Sequence, residues 1–337
     1  MYKEKTRGRA LGWALVGLLI GALAVTARAE VATVRMGDMP QSLITVVYQV
    51  IVDQGLDKKH GIRLERQAYP TIEGLFNAVR GEQVDVGFGG WTAFAQFRAQ
   101  GYPVINVYPV GRGATLDVLV PVDSDLQTLE DLKGKRIVSY AGAAGTGTVL
   151  LRVLLNDFYG FDPATTGDLQ YAGPGVIPSL LESGDVAAGL LFDPMAARAM
   201  ASGKFRSIGN LGELYKARTG DEFLWIAMIT NDSFVDSHAD AMAGFLQAWV
   251  EALAYARGHP QVFKDFGESM GLDEAGAQLL AERAILDYDT SPWNRRYIDG
   301  LMGFAERARR VMGKGYLESV PEDAFSTRFV PDPDQDR

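Results

Sequence analysis

The chain has 337 residues, with 33 Lys and Arg against 42 Asp and Glu, three His and no Cys. The lack of cysteine excludes disulfides, thiolate nucleophiles and zinc–thiolate sites, and with so few histidines we expect no metal and no cofactor. An acidic chain is also a poor nucleic-acid binder, because phosphate neutralisation supplies most of the non-specific affinity. The length exceeds that of a typical single core and predicts two domains.

The N-terminal residues have the pattern of a cleaved export signal. Basic residues up to Arg9 precede the uncharged stretch Ala10–Val25, and Ala27-Arg28-Ala29 supplies a small-x-small cleavage pattern. The alternative is an uncleaved anchor, but the stretch is short of the roughly 20 apolar residues that span a bilayer. We predict a signal peptide over 1–29 and a periplasmic mature protein. Its removal takes five Lys or Arg and one Glu, which leaves 28 basic and 41 acidic residues.

The first part of the mature chain alternates predicted strands and helices. Strands are predicted at 33–37, 62–67, 84–87 and 104–110, and helices at 43–51, 72–79 and 91–99. Ser42 is the expected N-cap of the first helix. Strand–helix–strand units at this spacing imply a parallel sheet with right-handed crossovers.

A second alternation begins after Gly111-Arg112-Gly113. Strands are predicted at 117–120, 136–140 and 169–171, with a helical turn at 129–132 and an apolar helix at 149–158. The segment 223–229 is predicted to return the chain to the first domain. Beyond it, apolar residues recur at helical spacing in 242–253, 275–285 and 298–311, and the tail 332–337 is polar.

One pattern occurs twice, on either side of the central segment. The end of an amphipathic helix, a Gly-Asp/Glu turn and a short apolar strand occupy 75–88 and again 180–190. Trp91-Thr92 and Asp193-Pro194 then hold equivalent places just past the two strand ends. Because ligands of open α/β sheets lie beyond the carboxyl ends of strands, two facing ends of this kind predict a ligand clamp.

The two predicted crossovers divide the chain into two lobes. We expect lobe 1 to comprise 30–111 plus 228–337, with the C-terminal helices, and lobe 2 to comprise 112–227. The alternative is two independent α/β domains in series. In that arrangement the C-terminal half would lack enough strands for a sheet of its own, so we favour the discontinuous division.

Several short pieces, in their order and spacing, resemble the periplasmic solute-binding proteins of ABC importers, in the nitrate/sulfonate/taurine and thiamine-precursor (NMT1/THI5-like) group. They are Gly37-Asp38-x-Pro40, Gly81-Glu82-Gln83-Val84-Asp85, the stretch 131–137, the Gly-rich turn 141–148 and Leu190-Leu191-Phe192-Asp193-Pro194. The resemblance implies the α/β periplasmic-binding-protein type II fold, in which each of two lobes is a mostly parallel sheet flanked by helices. The chain departs from that group at Phe192, where relatives commonly carry Trp or Tyr, and after the Gly-rich turn, where it offers only Thr146 and Thr148.

The same resemblance implies a binding protein with no catalytic residues. Its partners would be a small-molecule ligand and the permease and ATPase subunits of an ABC importer at the inner membrane, and we expect a monomer. Two alternatives stay open. One is an enzyme on the same fold, similar to a menaquinone-pathway dehydratase, although an exported location suits it badly. The other is a ligand-sensing subunit of a membrane receptor.

Thirteen residues in the cleft loops are candidate ligand contacts: Met39, Pro40, Gln41, Gly90, Trp91, Thr92, Arg112, Tyr140, Gly145, Thr146, Thr148, Phe192 and Asp193. The turn before the apolar helix would present backbone N–H groups and hydroxyls to a polar ligand, or serve only as a tight turn capped by Thr148. Trp91 would stack on a flat ligand or belong to the core. Asp193 would accept hydrogen bonds from a ligand or cap the next helix, and Arg112 would pair with a ligand carboxylate or occupy an exposed hinge.

The loops around these candidates contain no Lys or Arg apart from Arg112, but they contain three aromatic residues and one carboxylate. This mix favours a small, partly planar organic molecule with a donor group, such as an aminopyrimidine or another heteroaromatic. A small organic sulfonate is the next alternative, because clustered backbone N–H groups bind anions without side-chain charge.

Overall fold

The computed structural model describes residues 31–288 and 291–330. The predicted signal peptide, 1–29, and the predicted polar tail, 332–337, lie outside these residues. The strands are β1 (Ala32–Asp38), β2 (Ile62–Ala68), β3 (Val86–Gly89), β4 (Val104–Gly111), β5 (Asp117–Pro121), β6 (Ile137–Ser139), β7 (Leu169–Tyr171), β8 (Ala188–Leu191), β9 (Phe205–Asn210) and β10 (Ile226–Asn231). They form two separate five-stranded sheets.

Helices pack on both sheets and make up most of the C-terminal third. They are α1 (Leu43–Asp53), α2 (Leu56–Lys59), α3 (Ile72–Arg80), α4 (Trp91–Ala99), α5 (Thr146–Tyr159), α6 (Pro163–Thr166), α7 (Ile177–Glu182), α8 (Met195–Ala201), α9 (Leu211–Thr219), α10 (Asp232–Ser237), α11 (Ala239–Gly258), α12 (Gln261–Ser269), α13 (Glu274–Asp287) and α14 (Arg295–Met312). Two 3₁₀ turns occupy Leu129–Leu132 and Glu322–Ala324.

The two sheets have the same topology, which confirms the predicted α/β fold with two lobes. Their strand orders are β2-β1-β3-β10-β4 and β7-β6-β8-β5-β9. In each sheet four strands run in one direction and one runs against them, namely β10 in the first sheet and β5 in the second. Each reversed strand is the first strand that the chain forms after it crosses from one sheet to the other: β5 follows β4, and β10 follows β9.

The predicted repeat lies at equivalent places in the two sheets, as α3 and β3 in one and α7 and β8 in the other. A glycine in each strand lets the helix pack closely. A Cβ at Gly87 would lie 2.5 Å from Val79, and a Cβ at Gly189 would lie 2.5 Å from Ile177. These distances are shorter than real side-chain contacts, so both strands need the glycine.

Most predicted elements of residues 31–230 are present, with ends shifted by up to three residues. The sequence analysis did not include β9, α9 or α12. Apolar residues are few in β9 and irregularly spaced in α9, so periodicity gives no signal there. In α12, Val262, Phe263 and Phe266 do recur at helical spacing, so that helix could have been predicted. Ser42 precedes α1 as expected, but its side chain makes no capping hydrogen bond. That part of the prediction was wrong.

The C-terminal helices contact elements associated with both sheets. Helix α11 packs along α1 and β1, whereas α13 packs against α8 and α14 against α5. The aromatic core of α14 joins the two sets of helices, because Phe304 contacts both Trp91 and Phe223. The division at residues 112 and 227 therefore stays a prediction, and 228–337 does not lie wholly on the first sheet. No helix of the described part of the chain has the length and apolar run that a bilayer-spanning segment needs.

Candidate functional site

The two crossovers run side by side between the sheets, at the base of the predicted interlobe cleft. The backbone N–H of Trp225, on the returning segment, donates to the carbonyl of Gly111 at 2.8 Å. The carboxyl ends of β3, β6 and β8 point into this region, as expected for the ligand side of open α/β sheets. The loops that follow these strands carry most of the predicted site residues.

Three half-buried aromatic side chains converge in the cleft from three separate segments. Tyr140 follows β6, Phe192 follows β8, and Trp225 precedes β10. The ring centroids lie 4.7 Å apart for Tyr140 and Phe192, 5.4 Å for Phe192 and Trp225, and 6.5 Å for Tyr140 and Trp225. Burial raises the pKa of the Tyr140 phenol well above its usual range, and a hydrogen bond with the Trp225 side chain opposes the rise only in part. We call Tyr140, Phe192 and Trp225 the aromatic cluster.

Beside the aromatic cluster, the starts of α4 and α5 touch across the cleft. The hydroxyls of Thr92 and Thr146 are 2.9 Å apart and form a buried hydrogen bond. Gly90 lies against the same threonine, and a Cβ at position 90 would collide with Oγ1 of Thr146. Gly145 precedes the first turn of α5 in extended conformation. The structure therefore brings Gly90, Thr92 and Thr146 together, whereas Gly145 packs within its own turn, against Ala141 and Gly142.

Asp193 is buried in an ion-pair network. Its Oδ2 accepts a hydrogen bond from Nε of Arg283 at 2.7 Å, and its Oδ1 accepts one from the backbone N–H of Ala197 at 2.9 Å. Arg283 also pairs with Asp117. Burial raises the pKa of Asp193 to about 6, although Arg283 opposes that rise. Of its two predicted roles these contacts favour the structural one, since the carboxylate orders the first turn of α8 and pairs with α13; contact with a ligand stays a prediction.

Asp287 is a second buried carboxyl group at the base of the cleft. It is 6% exposed, and its Oδ1 has no hydrogen-bond partner. Burial raises the pKa of Asp287 to about 7, and the Asp193 charge adds to the rise. Hydrogen bonds from the Thr115 side chain and from the backbone N–H groups of Thr115 and Ala114 oppose this rise in the pKa in part. A Cβ at Gly111 would lie 3.2 Å from Oδ2 of Asp287, and the Gly111 carbonyl accepts the Trp225 N–H, so Asp287 lies at the same crossover as Trp225.

Two further predicted contacts are core or internally bonded residues. Trp91 is fully buried, and its ring packs on Phe304 at 6.2 Å and on Phe325 at 5.8 Å. Stacking on a ligand is therefore corrected to a core role, because helix α14 covers the ring. Thr148 is also fully buried; its hydroxyl lies 2.7 Å from that of Ser139 and donates to the Ala141 carbonyl. These bonds use its polar atom, so it holds the turn together.

The remaining predicted residues lie at the hinge and at the rim. Arg112 donates from Nε to the Leu286 carbonyl at 2.7 Å and pairs with Glu213 at 2.8 Å. Of its two predicted roles these contacts favour the hinge, where the guanidinium is paired at the first crossover; contact with a ligand stays a prediction. Met39 is half-buried, whereas Pro40 and Gln41 are exposed at the edge of the cleft.

Trp225 and Asp287 were not predicted from the sequence. Trp225 lies within the segment that was recognised as the return crossover, and a large aromatic residue at a crossover was an available signal. Asp287 ends a helical stripe on α13, and it reaches the cleft only because Tyr288 pairs with Gly111 and the Asp287 carbonyl accepts from the Arg112 N–H at 2.9 Å. That placement depends on tertiary packing and has no local sequence signal.

Other features of the described residues offer no competing site. No group of three or more His, Asp or Glu side chains in 31–288 and 291–330 is arranged to hold a metal ion. A cavity of about 510 Å³ lies over α12 and α13, and one of about 290 Å³ lies between 220–222 and the start of α14. Neither cavity is lined by a predicted site residue. His60 is bonded to Glu251, away from the cleft.

Comparison with known proteins gives one family and a consistent fold. The family described as NMT1/THI5 like matches residues 48–262. A search of curated protein sequences gave no match.

Among solved structures, the chain is similar to the periplasmic aliphatic sulphonate binding protein SsuA from Escherichia coli, with a TM-score of 0.66, 19% identity, and 82% of this chain and 86% of that chain covered. It is also similar to the alkanesulfonate-binding protein SsuA from Xanthomonas axonopodis pv. citri bound to MOPS, with a TM-score of 0.67, 19% identity, and 88% of this chain and 99% of that chain covered. A third similar structure is described as the periplasmic sulfonate-binding protein SsuA from Methylobacillus flagellatus KT. It has a TM-score of 0.67 and 15% identity, with 89% of this chain and 93% of that chain covered. At these identities the likeness establishes the fold.

Proposed function

The chain belongs to the NMT1/THI5-like family, and from that premise we propose that it is the solute-binding subunit of an ABC importer. It captures a small organic solute between its two lobes. The observation that carries this proposal is the aromatic cluster, in which Tyr140, Phe192 and Trp225 meet at the carboxyl ends of strands and beside the start of α5. Such rings offer apolar, rigid contact area at the place where this type of fold binds ligands.

The chemistry of the cleft supports binding over catalysis. The residues that meet there are aromatic rings, threonine hydroxyls and backbone N–H groups, with Arg283 and Arg112 already paired. The one titratable carboxyl group at the base, Asp287, has no His, Ser or Lys partner among its described contacts with which it could form a catalytic pair. The closing contact between Thr92 and Thr146 gives the two lobes a defined closed state that a ligand would favour. The importer's permease and ATPase are the partners in this proposal. The mature protein acts as a monomer in the periplasm, after its signal peptide has directed export and been cleaved.

Two ligand classes fit the proposal. A planar organic molecule with a donor group would stack on the aromatic cluster, in keeping with the sequence prediction. An organic sulfonate is the second class, since structural neighbours of the same fold are named as sulfonate-binding proteins and one is described with bound MOPS. The start of α5 offers N–H groups to such an anion.

The test uses the mature chain, residues 30–337, in a thermal-shift screen of aromatic amines, heteroaromatics and organic sulfonates. A ligand that binds only the folded protein raises the apparent stability in proportion to ln(1 + [L]/Kd). Trp225→Ala should abolish the shift, Trp225→Phe should retain part of it, and Tyr102→Ala, at an exposed position away from the cleft, should leave it unchanged. A solute whose shift survives Trp225→Ala would contradict capture on the aromatic cluster.

A further inference from the structure

The last two turns of α14 are attached to helix α5, which follows β6 of the second sheet. Arg307 and Arg310 both pair with Asp157 of α5, at 2.8 and 3.2 Å. The Asp157 side chain is only 10% exposed, so its charge depends on these two partners. In the last turn of α14, the Val311 carbonyl accepts from Nη2 of the buried Arg152 at 3.2 Å. The end of α14 is therefore bonded to α5 at two places.

The residues after α14 return to the first sheet, where β4 is an edge strand. Phe325 forms a single parallel bridge with Asn106 of β4. The Ser326 N–H donates to the Asn106 carbonyl at 2.9 Å, and the buried Asn106 side chain donates to the Ala324 carbonyl at 3.0 Å. The Phe325 ring lies 5.8 Å from that of Trp91. This end of the chain is therefore held at one short stretch of β4.

The two attachments belong to one hairpin-like segment. Trp293, just before α14, donates from Nε1 to the Ser326 carbonyl at 2.8 Å, so the segment begins beside its own end. From this base at the first sheet it reaches out along α14 to α5 and comes back. We call residues 293–330 the C-terminal clasp. It is a third link between the two sheets, in addition to the two crossovers.

The clasp also bears on the contact that closes the cleft. One helix, α5, carries Thr146 at its start and Asp157 near its end, so it joins the Thr92–Thr146 hydrogen bond to the clasp. On the other side, Arg98 of α4 pairs with Asp323 of the clasp at 2.6 Å. Because the clasp holds α5 on one side and α4 and β4 on the other, α5 cannot move away from α4 until one attachment breaks.

We propose that the C-terminal clasp is a latch that holds the two lobes closed and determines how often the cleft opens. Opening requires the release of one attachment, either that of Asp157 to α14 or that of Phe325 to β4. This inference goes beyond the proposed function and does not depend on the identity of the solute, because the latch acts on the solute-free protein.

The test uses the lack of cysteine in the chain. In a Thr146→Cys background the mature protein has a single thiol, at a position that is 7% exposed and lies between α4 and α5. Its rate of reaction with a small maleimide reports the population of the open state, provided that opening and closing are fast relative to labelling. The measurement is made on solute-free protein, so its outcome is independent of the proposed function.

Asp157→Asn and Phe325→Ala, each in this background, should raise the labelling rate about two- to tenfold, the range for loss of an ion pair or an aromatic pair. Asp299→Asn is the matched control for Asp157→Asn. It removes an exposed Arg–Asp pair within α14 that does not touch α5, and it should leave the rate unchanged. Equal rates in the control, the wild-type background and both clasp variants would overturn the latch.

The dependence on urea separates a latch from a general loss of stability. Release of the clasp exposes little surface, so labelling of the variants should depend only weakly on urea below the unfolding transition. A rate that follows global unfolding would overturn the proposal. If Phe325→Ala does not fold, the comparison of Asp157→Asn with Asp299→Asn decides by the same criteria.

The double variant gives the sharpest distinction. A latch opens when either attachment fails, so the two increases in labelling rate should add. If both attachments broke together at every opening, the two fold-changes would multiply instead. Multiplication would show that the clasp is an ordinary part of the interface between the lobes, and it would overturn the latch.

Discussion

The ends of β3 and β8 hold equivalent places in the two sheets, yet neutral residues follow the first and a buried ion-pair network follows the second. After β3, Trp91 fills the core and Thr92 bonds to Thr146 across the cleft. After β8, Phe192 joins the aromatic cluster and Asp193 pairs with Arg283. A repeated backbone thus places side chains at matching points without giving them matching roles.

The comparison extends to the N-terminal ends of the same two strands, β3 and β8. The backbone N–H of Asp85 donates to the Arg35 carbonyl at 2.8 Å, and at the equivalent place the N–H of Ala187 donates to the Arg136 carbonyl, also at 2.8 Å. Only the first pair is joined by side chains, through the Arg35–Asp85 ion pair. Backbone geometry is therefore shared, and charge is assigned differently at both ends of the two strands.

The largest expected effect comes from breaking the ion-pair network of Arg283 with Asp117 and Asp193. Arg283→Met leaves Asp117 and Asp193 buried without their cation, and loss of one partner of a buried pair costs about 3–5 kcal/mol. Urea unfolding should show this loss in the free energy of unfolding. Arg295→Met, which removes an exposed pair with Asp299, is the control and should cost about 0.3–0.5 kcal/mol. Equal costs for the two variants would mean that the network is solvated and stabilises little.

The second effect is a pH dependence that arises from Asp287, whose raised pKa depends in part on the charge of Asp193. The raised pKa of Asp287, about 7 against an ordinary 3.8, means that the folded state holds the proton more tightly than the unfolded state. Its stabilising contribution is complete below the unfolded pKa and is lost as pH rises through 7. The free energy of unfolding of Asp287→Asn should therefore gain on the wild type by about 2–4 kcal/mol between pH 4 and pH 8.

Urea unfolding of both proteins across this range measures the difference directly. Asp221→Asn, on the exposed return crossover, is the control and should run parallel to the wild type. A constant difference between Asp287→Asn and the wild type would show that the carboxyl group ionises normally. That result would place Asp287 in contact with water.

The third effect tests what the two strand ends share. Gly87→Ala and Gly189→Ala each drive a Cβ to 2.5 Å from a packed side chain, Val79 or Ile177. Overpacking of this kind costs about 1–3 kcal/mol, and the equivalent geometry predicts similar losses in the free energy of unfolding. Gly173→Ala, where a Cβ would meet nothing within 4 Å, is the control. A large loss at only one of the two positions would show that the helices pack differently on the two sheets.

The shared parts of the molecule were predictable from the sequence, and the different parts were not. Alternating strands and helices, the repeat at 75–88 and 180–190, and the two crossovers follow from local patterns, so the fold and the loops that carry the site were expected. The roles of Trp91, Asp193 and Arg112 depend on which side chain of another segment reaches them. Phe304, Arg283 and Leu286 all lie in the C-terminal helices. Arg283 is 90 residues after Asp193, and the other two pairs are further apart in sequence. Periodicity predicts the helical face of each residue but not its neighbour.

The smallest expected effect is on solute affinity, and it comes from the neutral residues after β3, where Thr92 bonds to Thr146. A Cβ at Gly90 would collide with Oγ1 of Thr146, so Gly90→Ala should disfavour the closed arrangement and leave each lobe's core intact. We expect about a fivefold loss of solute affinity, about 1 kcal/mol, since closure contributes to binding only by the difference between the two states. Thr146→Ala in the same chain removes the colliding oxygen, so the double variant should regain part of the lost affinity although the single Thr146→Ala variant loses the Thr92 hydrogen bond. Titration with the best solute from the thermal-shift screen measures all four proteins of this cycle, and additive losses in the double variant would mean that Gly90 and Thr146 do not meet when the solute is bound.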